Sequence, residues 1–385
     1  MQYRKYGKTG FESSLLGLGC MRLPRIVGES PDSAPVDREK AYELIRYAAN
    51  NGINYFDTAF TYHGGTSEEI LGEALDGGLR KNVKVITKQP LAVMKTQADI
   101  RKNLESTLKK LRTDYLDVYL IHNIGDASWD EIHERKIYDE YVKFKEEGLI
   151  KHIGFSFHGK YNTFKNILGT YDWDMCQVQQ NMLDVNYEAT EQAILDAGEK
   201  GCAMVIMEPL RGGGLVGGPK SVMDIYESSG INRKPVEWAF RHLVDYPQVS
   251  TILSGMTTME QLKENIAMFS QADMVPNCLS AKEKDIIVQA RNAYQSIVTI
   301  PCTGCEYCLP CPNGVNIPGV FSRYNEGMMF ENFEQPQRAY MLMSRLGKGV
   351  DKCVECGACE PQCPQHIQIM EQLKLAHESL KGWLE

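Results

Sequence analysis

Eight short runs rich in β-forming apolar residues recur between residues 15 and 254. The runs begin at Leu15, Asn54, Val83, Tyr115, Lys151, Met175, Ala203 and Val249. Between them, apolar residues recur with the 3.6-residue spacing of an amphipathic helix, as at 41–49 and 100–111. A strand followed by a helix, repeated eight times, predicts a closed parallel (β/α)8 barrel.

The main alternative for such a pattern is an open, doubly wound sheet. That fold requires a G-x-G-x-x-G turn directly after the first strand, and LGLGCMRLP at 16–24 does not supply one. After the eighth unit come a linker containing Pro276, an amphipathic stretch over 281–297 and a change of composition at Pro301. We therefore expect a barrel over 1–297 and a small, α-rich second domain over 298–385.

The net charge, the hydropathy and the cysteine positions indicate which partners, location and metal chemistry to expect. The net charge of -8 argues against a nucleic-acid partner, because it would repel a phosphate backbone. No apolar stretch approaches the roughly 18 residues of a membrane helix, and the polar opening MQYRKYGKTGFESS does not resemble a secretory signal. We expect a cytoplasmic protein without a membrane partner. Eight of its 12 cysteines lie between 302 and 363, which indicates metal or cluster ligation rather than disulfides.

The clustered cysteines form two runs with two-residue spacings and a trailing proline. The first run is C-x2-C-x2-C-x2-C-P and the second is C-x2-C-x2-C-x3-C-P, the bacterial ferredoxin pattern; they comprise Cys302, Cys305, Cys308 and Cys311, and Cys353, Cys356, Cys359 and Cys363. Zinc is the alternative, but it has no use for evenly spaced third and fourth cysteines or for the proline. This C-terminal region resembles a dicluster ferredoxin domain and predicts two [4Fe-4S] clusters.

In such a domain the fourth cysteine of each run ligates the other cluster. We therefore expect Cys363 to complete the cluster of the first run and Cys311 to complete that of the second. CPNGVNI at 311–317 and CPQHIQI at 363–369 share C-P-x-x-aliphatic-x-Ile, as two halves of a pseudo-symmetric fold would. The first run departs from the ferredoxin pattern by one residue, and 41 residues separate the two runs. The four other cysteines are isolated and are interpreted as packing residues.

Ionisable residues follow three neighbouring strands at their carboxyl ends, where a barrel carries its chemistry. They are Asp57 and Tyr62 after the second predicted strand, Lys88 after the third and His122 after the fourth. Carbonyl reduction needs a proton donor at the nascent alkoxide, and Tyr62 can supply it. We expect Lys88 to lower the Tyr62 pKa from its ordinary value of about 10. Asp57 would orient Lys88, and His122 would hydrogen-bond the substrate oxygen.

In this order, the four residues resemble the Asp, Tyr, Lys, His tetrad of the aldo-keto reductases. The opening YRKYGKTGFESSLLGLG and the segments GLIKHIGFS, QVQQNMLD, PLRGGG and SGMTTMEQLKEN are also similar to that family, over roughly the first 270 residues. The resemblance implies an NADPH or NADH cofactor. It places Ser156 and Gln177 on the nicotinamide carboxamide, and Leu210, Arg211, Gly212 and Gly213 beside the pyrophosphate.

Other positions depart from the family pattern. Met207 stands where the family has an aromatic residue on the nicotinamide, and Phe157 stands where it has an asparagine, for which His158 could compensate. The lysine and arginine of the 2′-phosphate clamp align with Gly255 and Gln261, in a segment that ends at Asn265. Either NADH is used, Lys263 or Arg211 substitutes, or the barrel binds another group. Flavin is one such group, because RGGGLVGG follows the seventh predicted strand, where barrels bind phosphate.

Three functions fit these features. The first is an NAD(P)H-dependent reductase of a small aldehyde, ketone or sugar-like carbonyl. The second is an electron-transfer enzyme that uses a barrel-bound flavin or other redox group and a partner such as ferredoxin or flavodoxin. The third is a non-enzymatic redox sensor, which the complete tetrad disfavours. NAD(P)H binding would favour the first function, and a yellow chromophore that survives removal of the clusters would favour the second.

Overall fold

Eight parallel strands close into a barrel in the structure, a computed structural model that describes residues 1–26 and 34–383. All eight predicted runs coincide with barrel strands, which confirms the predicted fold. Around the barrel, β10 pairs with both β3 and β9, and every other neighbour follows in chain order. The strands are β3 (Leu16–Gly19), β4 (Tyr55–Asp57), β5 (Lys84–Pro90), β6 (Leu116–Ile124), β7 (Ile150–Phe157), β8 (Met175–Gln179), β9 (Ala203–Met207) and β10 (Val249–Ser254).

A short antiparallel hairpin precedes the barrel, and the sequence pattern did not predict it. Its strands are β1 (Tyr3–Lys5) and β2 (Glu12–Ser14). Just after β1, the ring of Tyr6 stacks on Phe11 at 4.4 Å, and its hydroxyl lies 3.0 Å from that of Tyr55 in β4. Tyr6 belongs to the apolar cluster that fills the barrel interior. The hairpin therefore contributes to the core.

Amphipathic helices connect the strands and bury their apolar stripes. In α1, for example, Ala41, Leu44, Ile45 and Ala48 are buried, as their spacing predicts. The helices between or after the barrel strands are α1 (Arg38–Asn50), α2 (Ser67–Ala74), α3 (Gln97–Lys110), α4 (Trp129–Glu134), α5 (Ile137–Glu146), α6 (Tyr161–Thr170), α7 (Thr190–Glu199), α8 (Lys220–Ser228), α9 (Pro235–Val244) and α10 (Met259–Phe269). No helix among the described residues is long and apolar enough to cross a membrane.

The chain divides into two compact units, 1–212 with 237–280 and 213–236 with 281–385. The domain boundary at 298, which was inferred from the change of composition at Pro301, stays a prediction. The second unit contains α8 and four further helices, α11 (Ala281–Ser296), α12 (Ile317–Met329), α13 (Glu334–Arg345) and α14 (Ile369–Leu380).

The core of the second unit reflects the repeated C-P-x-x-aliphatic-x-Ile pattern. Val315 and Ile317 from the first copy and Ile367 and Ile369 from the second are buried in one apolar cluster. The final isoleucine of each copy is also the first residue of a helix, α12 or α14. Each cysteine run is therefore followed by an equivalent turn into a helix that closes the same core.

Candidate functional site

Three neighbouring strands bring the tetrad residues together. Asp57 is the last residue of β4, Lys88 lies in β5 and His122 lies in β6. Tyr62 begins the 3-10 turn Tyr62–Gly65, which follows β4. Because parallel strands end at the same rim of a barrel, the four side chains share one site.

The Lys88 ammonium is the centre of the site. Its Nζ donates to Asp57 Oδ1 at 2.5 Å, to the Thr58 carbonyl at 2.8 Å and to Tyr62 Oη at 3.2 Å. The three N–H donors of the ammonium therefore all have acceptors. Burial is the largest effect and lowers the Lys88 pKa, but the charges and hydrogen bonds of Asp57 and Tyr62 together outweigh burial, and the Lys88 pKa is raised. Lys88 is consequently charged, although it is fully buried.

Burial, rather than Lys88, decides the ionisation of Tyr62. Desolvation raises the Tyr62 pKa, and the opposing effect of the Lys88 charge does not compensate for it. Lys88 does act to lower this pKa, as expected, but desolvation is the larger effect and the Asp57 charge adds to it, so the Tyr62 pKa lies above its ordinary value and not below it. In this site Tyr62 is a fully protonated phenol at neutral pH.

His122 completes the site as a neutral imidazole. Its ring meets Tyr62 edge-on, with the centroids 5.9 Å apart. Burial lowers the pKa of His122 to about 3, and the charges of Lys88 and His158 act in the same direction. Its Nδ1 is buried and has no hydrogen-bond partner among the described residues. Tyr62 and His122 therefore offer two polar groups to one incoming oxygen.

The next two strands place an amide-sized pair of polar groups beside the tetrad. Ser156 in β7 pairs in register with Gln177 in β8, and both are buried. Ser156 Oγ accepts the Asn123 N–H at 2.8 Å, and its own hydroxyl hydrogen can donate. Gln177 Oε1 is buried without a partner in the described chain, whereas Gln177 Nε2 lies 3.8 Å from Met207 Sδ. One donor and one orphaned acceptor match a carboxamide, so these residues fit nicotinamide.

The two residues after Ser156 make contacts away from the tetrad. Phe157 is fully buried and packs edge-on against Phe164 of α6 at 5.6 Å. His158 Nδ1 lies 3.2 Å from both carboxylate oxygens of Glu188. Burial lowers the His158 pKa, but Glu188 outweighs burial and raises it. Sequence reasoning missed Glu188, which lies in the loop between β8 and α7 and has no strand-end signal.

The segment after β9 contains the glycine-rich loop. Leu210 precedes the 3-10 turn Arg211–Val216, in which Gly212 and Gly213 have φ angles of 67° and 106°. Such left-handed angles favour glycine. Arg211 Nη1 lies 3.5 Å from Asp184 Oδ1, in the loop after β8. Arg211 is thus already paired with a carboxylate.

The segment after β10 contains the remaining predicted cofactor positions. Gly255 directly follows β10, and Gln261 lies in the first turn of α10. Gln261 Oε1 accepts the backbone N–H groups of Thr257 and Thr258, at 2.9 and 3.2 Å, and so forms part of a capping box. Asn265 Nδ2 donates to Ser254 Oγ at 3.3 Å and fastens the helix to the strand end.

The eight clustered cysteines gather around two cavities in the second unit. The first cavity is lined by Cys302, Cys305, Cys308 and Cys363. The second is lined by Cys311, Cys353, Cys356 and Cys359. Each cavity thus takes three cysteines from one run and the last cysteine of the other.

The spacing of these thiols fits a cluster better than a single ion. Among the described residues, no three His, Cys, Asp or Glu side chains converge closely enough to hold one metal ion. A zinc ion needs four sulfurs at about 2.3 Å from one centre. Four thiols that line one cavity without converging on a single point fit a cubane cluster. All other cysteines are free, and Cys20, Cys176 and Cys202 are buried.

Comparison with known proteins agrees with this architecture. The model of the Aldo/keto reductase family matches residues 15–278, and the model of the 4Fe-4S dicluster domain matches residues 301–368. The chain is 29% identical over 239 residues to probable aldo-keto reductase 1 from Glycine max, covering 60% of this chain and 65% of that protein. It is 25% identical over 300 residues to L-galactose dehydrogenase from Arabidopsis thaliana, covering 71% of this chain and 89% of that protein.

Among solved structures, the chain is similar to the holo form of the aldo-keto reductase AKR11C1 from Bacillus halodurans. The TM-score is 0.63 at 25% identity, and the match covers 75% of this chain and 96% of that one. The family model alone spans well over half of the 385 residues. The chain therefore belongs to the aldo/keto reductase family of oxidoreductases and contains, in addition, a C-terminal 4Fe-4S dicluster domain.

Proposed function

We propose that the barrel reduces a small aldehyde, ketone or sugar-like carbonyl with NADPH or NADH, and that Tyr62 is the general acid. The observation that carries this proposal is the hydrogen bond from the charged, buried Lys88 to the protonated Tyr62, 3.2 Å long, with His122 beside it. The name of the relative L-galactose dehydrogenase supports a sugar-like compound as one substrate class.

The side chains divide the work of the reaction. The substrate oxygen accepts hydrogen bonds from Tyr62 and from the neutral His122, which polarises the carbonyl. When bound, with its carboxamide at Ser156 and Gln177, a nicotinamide coenzyme would supply the hydride for the reduction. Tyr62 transfers its phenolic proton to the developing alkoxide, so that the product is an alcohol. The tyrosinate that remains is stabilised by Lys88, and Asp57 keeps Lys88 charged until a proton returns from solvent.

We infer that the second unit holds two [4Fe-4S] clusters. Cys302, Cys305, Cys308 and Cys363 would hold one, and Cys353, Cys356, Cys359 and Cys311 would hold the other, because each set lines one cavity. When bound, such clusters supply storage and transfer of single electrons. The exchange of the fourth ligand also ties the two halves of the unit together, as the shared core does.

Turnover of the purified full-length protein with small aldehydes, ketones and sugars tests the first proposal. NADPH and NADH oxidation and alcohol formation would be measured without oxygen. Tyr62→Phe should lower the rate by about 10²- to 10⁴-fold, since it removes the general acid, and should leave coenzyme affinity unchanged. Tyr161→Phe on α6, which only loses a hydrogen bond to Asp196, is the control and should be fully active. Equal turnover by Tyr62→Phe and the wild type would refute the assignment.

A second candidate function is electron transfer through a group other than nicotinamide. The observation that favours it is Met207, which lies next to Gln177 and offers no aromatic face for a nicotinamide ring. Single electrons and hydrides exchange only through a group that handles both, such as flavin. A yellow chromophore that stays bound after the iron is removed, with no NAD(P)H affinity, would support this candidate over carbonyl reduction.

A further inference from the structure

The segment after β10 lacks a cation of its own for a phosphate group. SGMTTMEQL at 254–262 contains no basic residue. Gln261 stands where the family resemblance places an arginine. Its side-chain oxygen accepts the hydrogen bonds of the capping box of α10. In (β/α)8 barrels, the loops after the seventh and eighth strands are nevertheless the usual place for phosphate. These are the loops after β9 and β10 in this chain.

Two nearby cations are engaged elsewhere. The Lys263 ammonium lies 5.3 Å from the centre of the Tyr47 ring on α1, in a cation–π contact. Arg211 lies 3.5 Å from Asp184. Neither side chain is therefore a ready substitute for the clamp that the sequence lacks.

Arg22, which follows β3, is the cation that lies against the loop after β10. It ends the 3-10 turn Cys20–Arg22 directly after β3, and β3 pairs with β10, with Leu18 opposite Ser254. The Thr257 hydroxyl donates to the Arg22 carbonyl at 3.0 Å, and the Cys20 carbonyl bonds to Ser67 Oγ at 3.2 Å. The backbone of the turn is therefore fixed at both ends.

The Arg22 side chain runs across Gly255. A Cβ atom at position 255 would meet Cβ, Cγ and Cδ of Arg22 at 3.2, 3.2 and 3.3 Å, so the glycine leaves the room that the arginine fills. Arg22 is exposed, and its guanidinium makes no hydrogen bond or ion pair within residues 1–26 and 34–383. It is close enough to Glu208, the first residue after β9, for the two charges to interact. The aliphatic part of Arg22 thus lies against the residue after β10, and its charge acts on the residue after β9.

We propose that Arg22 binds the 2′-phosphate of the coenzyme and makes NADPH the preferred coenzyme of this chain. The proposal rests on the function proposed above. A guanidinium can bind a phosphate through two parallel hydrogen bonds. Gly255 stands where the family resemblance places a lysine; it has no side chain to carry a charge, and it leaves the space that the Arg22 side chain occupies. Recognition of the phosphate has moved from the loop after β10 to the turn after β3.

Calorimetric titration of the cluster-loaded, full-length protein with NADPH and with NADH tests this assignment without requiring turnover. Arg22→Ala should weaken NADPH binding by about tenfold or more and NADH binding by less than about twofold. Lys263→Ala is the matched control on the same surface and should change neither affinity. In the double variant Arg22→Ala/Gly255→Lys, the lysine replaces the lost charge at the original family position, and the preference for NADPH should return.

The failures are distinguishable. Unchanged NADPH affinity in Arg22→Ala, or an equal loss for both coenzymes, would overturn the assignment to the 2′-phosphate and leave carbonyl reduction standing. A wild-type protein that binds neither coenzyme would overturn the proposed function itself.

Discussion

At the scale of single residues, burial sets the protonation states of the candidate site. Tyr62 and His122 both lose solvent, which favours the neutral phenol and the neutral imidazole. Lys88 stays charged because Asp57, 2.5 Å away, and Tyr62 together offset its burial. The sequence identifies these partners, since each follows a predicted strand. It does not reveal the direction of the Tyr62 pKa shift, because that depends on the depth of burial and on how far Asp57 neutralises Lys88.

The wild-type pH profile should follow from these states. Since the Tyr62 pKa lies above its ordinary value, the acid form is complete at neutral pH, and the rate of carbonyl reduction should be constant from about pH 6 to 9. His122 adds no step in this range, because its pKa is about 3. Alcohol oxidation needs the phenolate and should rise with pH over the same range. A reduction rate that falls between pH 6 and 9 would contradict this account.

Asp57→Asn should make carbonyl reduction sensitive to pH. Without the carboxylate, burial is opposed only by the interactions of Lys88 with Tyr62, and the Lys88 pKa should fall. The rate should then fall as the pH rises through the lowered Lys88 pKa, because a neutral amine no longer stabilises the tyrosinate. A purely structural role for Asp57 would lower the rate equally at every pH, and profiles of the same shape would contradict the prediction.

At the scale of secondary-structure elements, Asp174 fastens the start of β8 to its neighbours. Its Oδ2 accepts the Ile153 N–H of β7 and the Lys145 ammonium of α5, each at 2.9 Å. Burial raises the Asp174 pKa, but the hydrogen bonds, including one with His152, outweigh it and lower the pKa from 3.8 to about 2. The carboxylate therefore stabilises the fold above the unfolded-state pKa, and this stabilisation is lost as the pH falls through about 2.

Asp174→Asn should lower the free energy of unfolding at pH 7 by about 2 kcal/mol, the equivalent of this pKa shift. The difference should shrink at pH values below about 4, where the unfolded wild type takes up a proton. Denaturant titrations at several pH values measure both effects. Asp172→Asn, two residues away, is the control: Asp172 is 87% exposed and pairs only at the surface with Lys8, so its loss should have little effect. Equal destabilisation by the two variants would contradict this explanation.

The proposed exchange of cluster ligands also belongs to the scale of elements, because it would link the two cysteine runs around one core. Cys311→Ala should impair the cluster held by Cys353, Cys356 and Cys359, which would lower the iron content from about eight to about four per chain. The EPR signal of the other cluster should remain. Cys278→Ser, which changes an isolated free cysteine, should retain all the iron. Loss confined to the cluster of the first run would reverse the pairing.

The eight strands were predictable because each is a compact apolar run followed by a helical pattern. The hairpin β1–β2 was not, since strands of three residues are too short to show a period. Helices α12 and α13, which fill the 41 residues between the cysteine runs, were seen only as an insertion. The sequence pattern did not indicate Arg22, because the role that we propose for it depends on the pairing of β3 with β10, which joins residues more than 200 positions apart.

At the scale of the whole molecule, the chain combines an aldo/keto reductase barrel, for which we propose hydride transfer, with a 4Fe-4S dicluster domain, a kind of domain that transfers single electrons. The barrel supplies a protonated acid, a charged lysine and a pair of groups that fits a carboxamide. The second unit supplies two sets of four thiols. Nicotinamide does not pass single electrons to clusters without an intermediary. Carbonyl reduction in the barrel should therefore proceed without a change in the oxidation state of the clusters.

An anaerobic titration of the full-length, cluster-loaded protein with NADPH and NADH, followed by nicotinamide fluorescence and EPR together, tests this claim most directly. We predict saturable binding of the coenzyme in the barrel, tighter for NADPH, with the EPR signals of the clusters unchanged. Absence of saturable binding, or reduction of the clusters through a bound flavin, would contradict carbonyl reduction and would establish the chain as an electron-transfer enzyme.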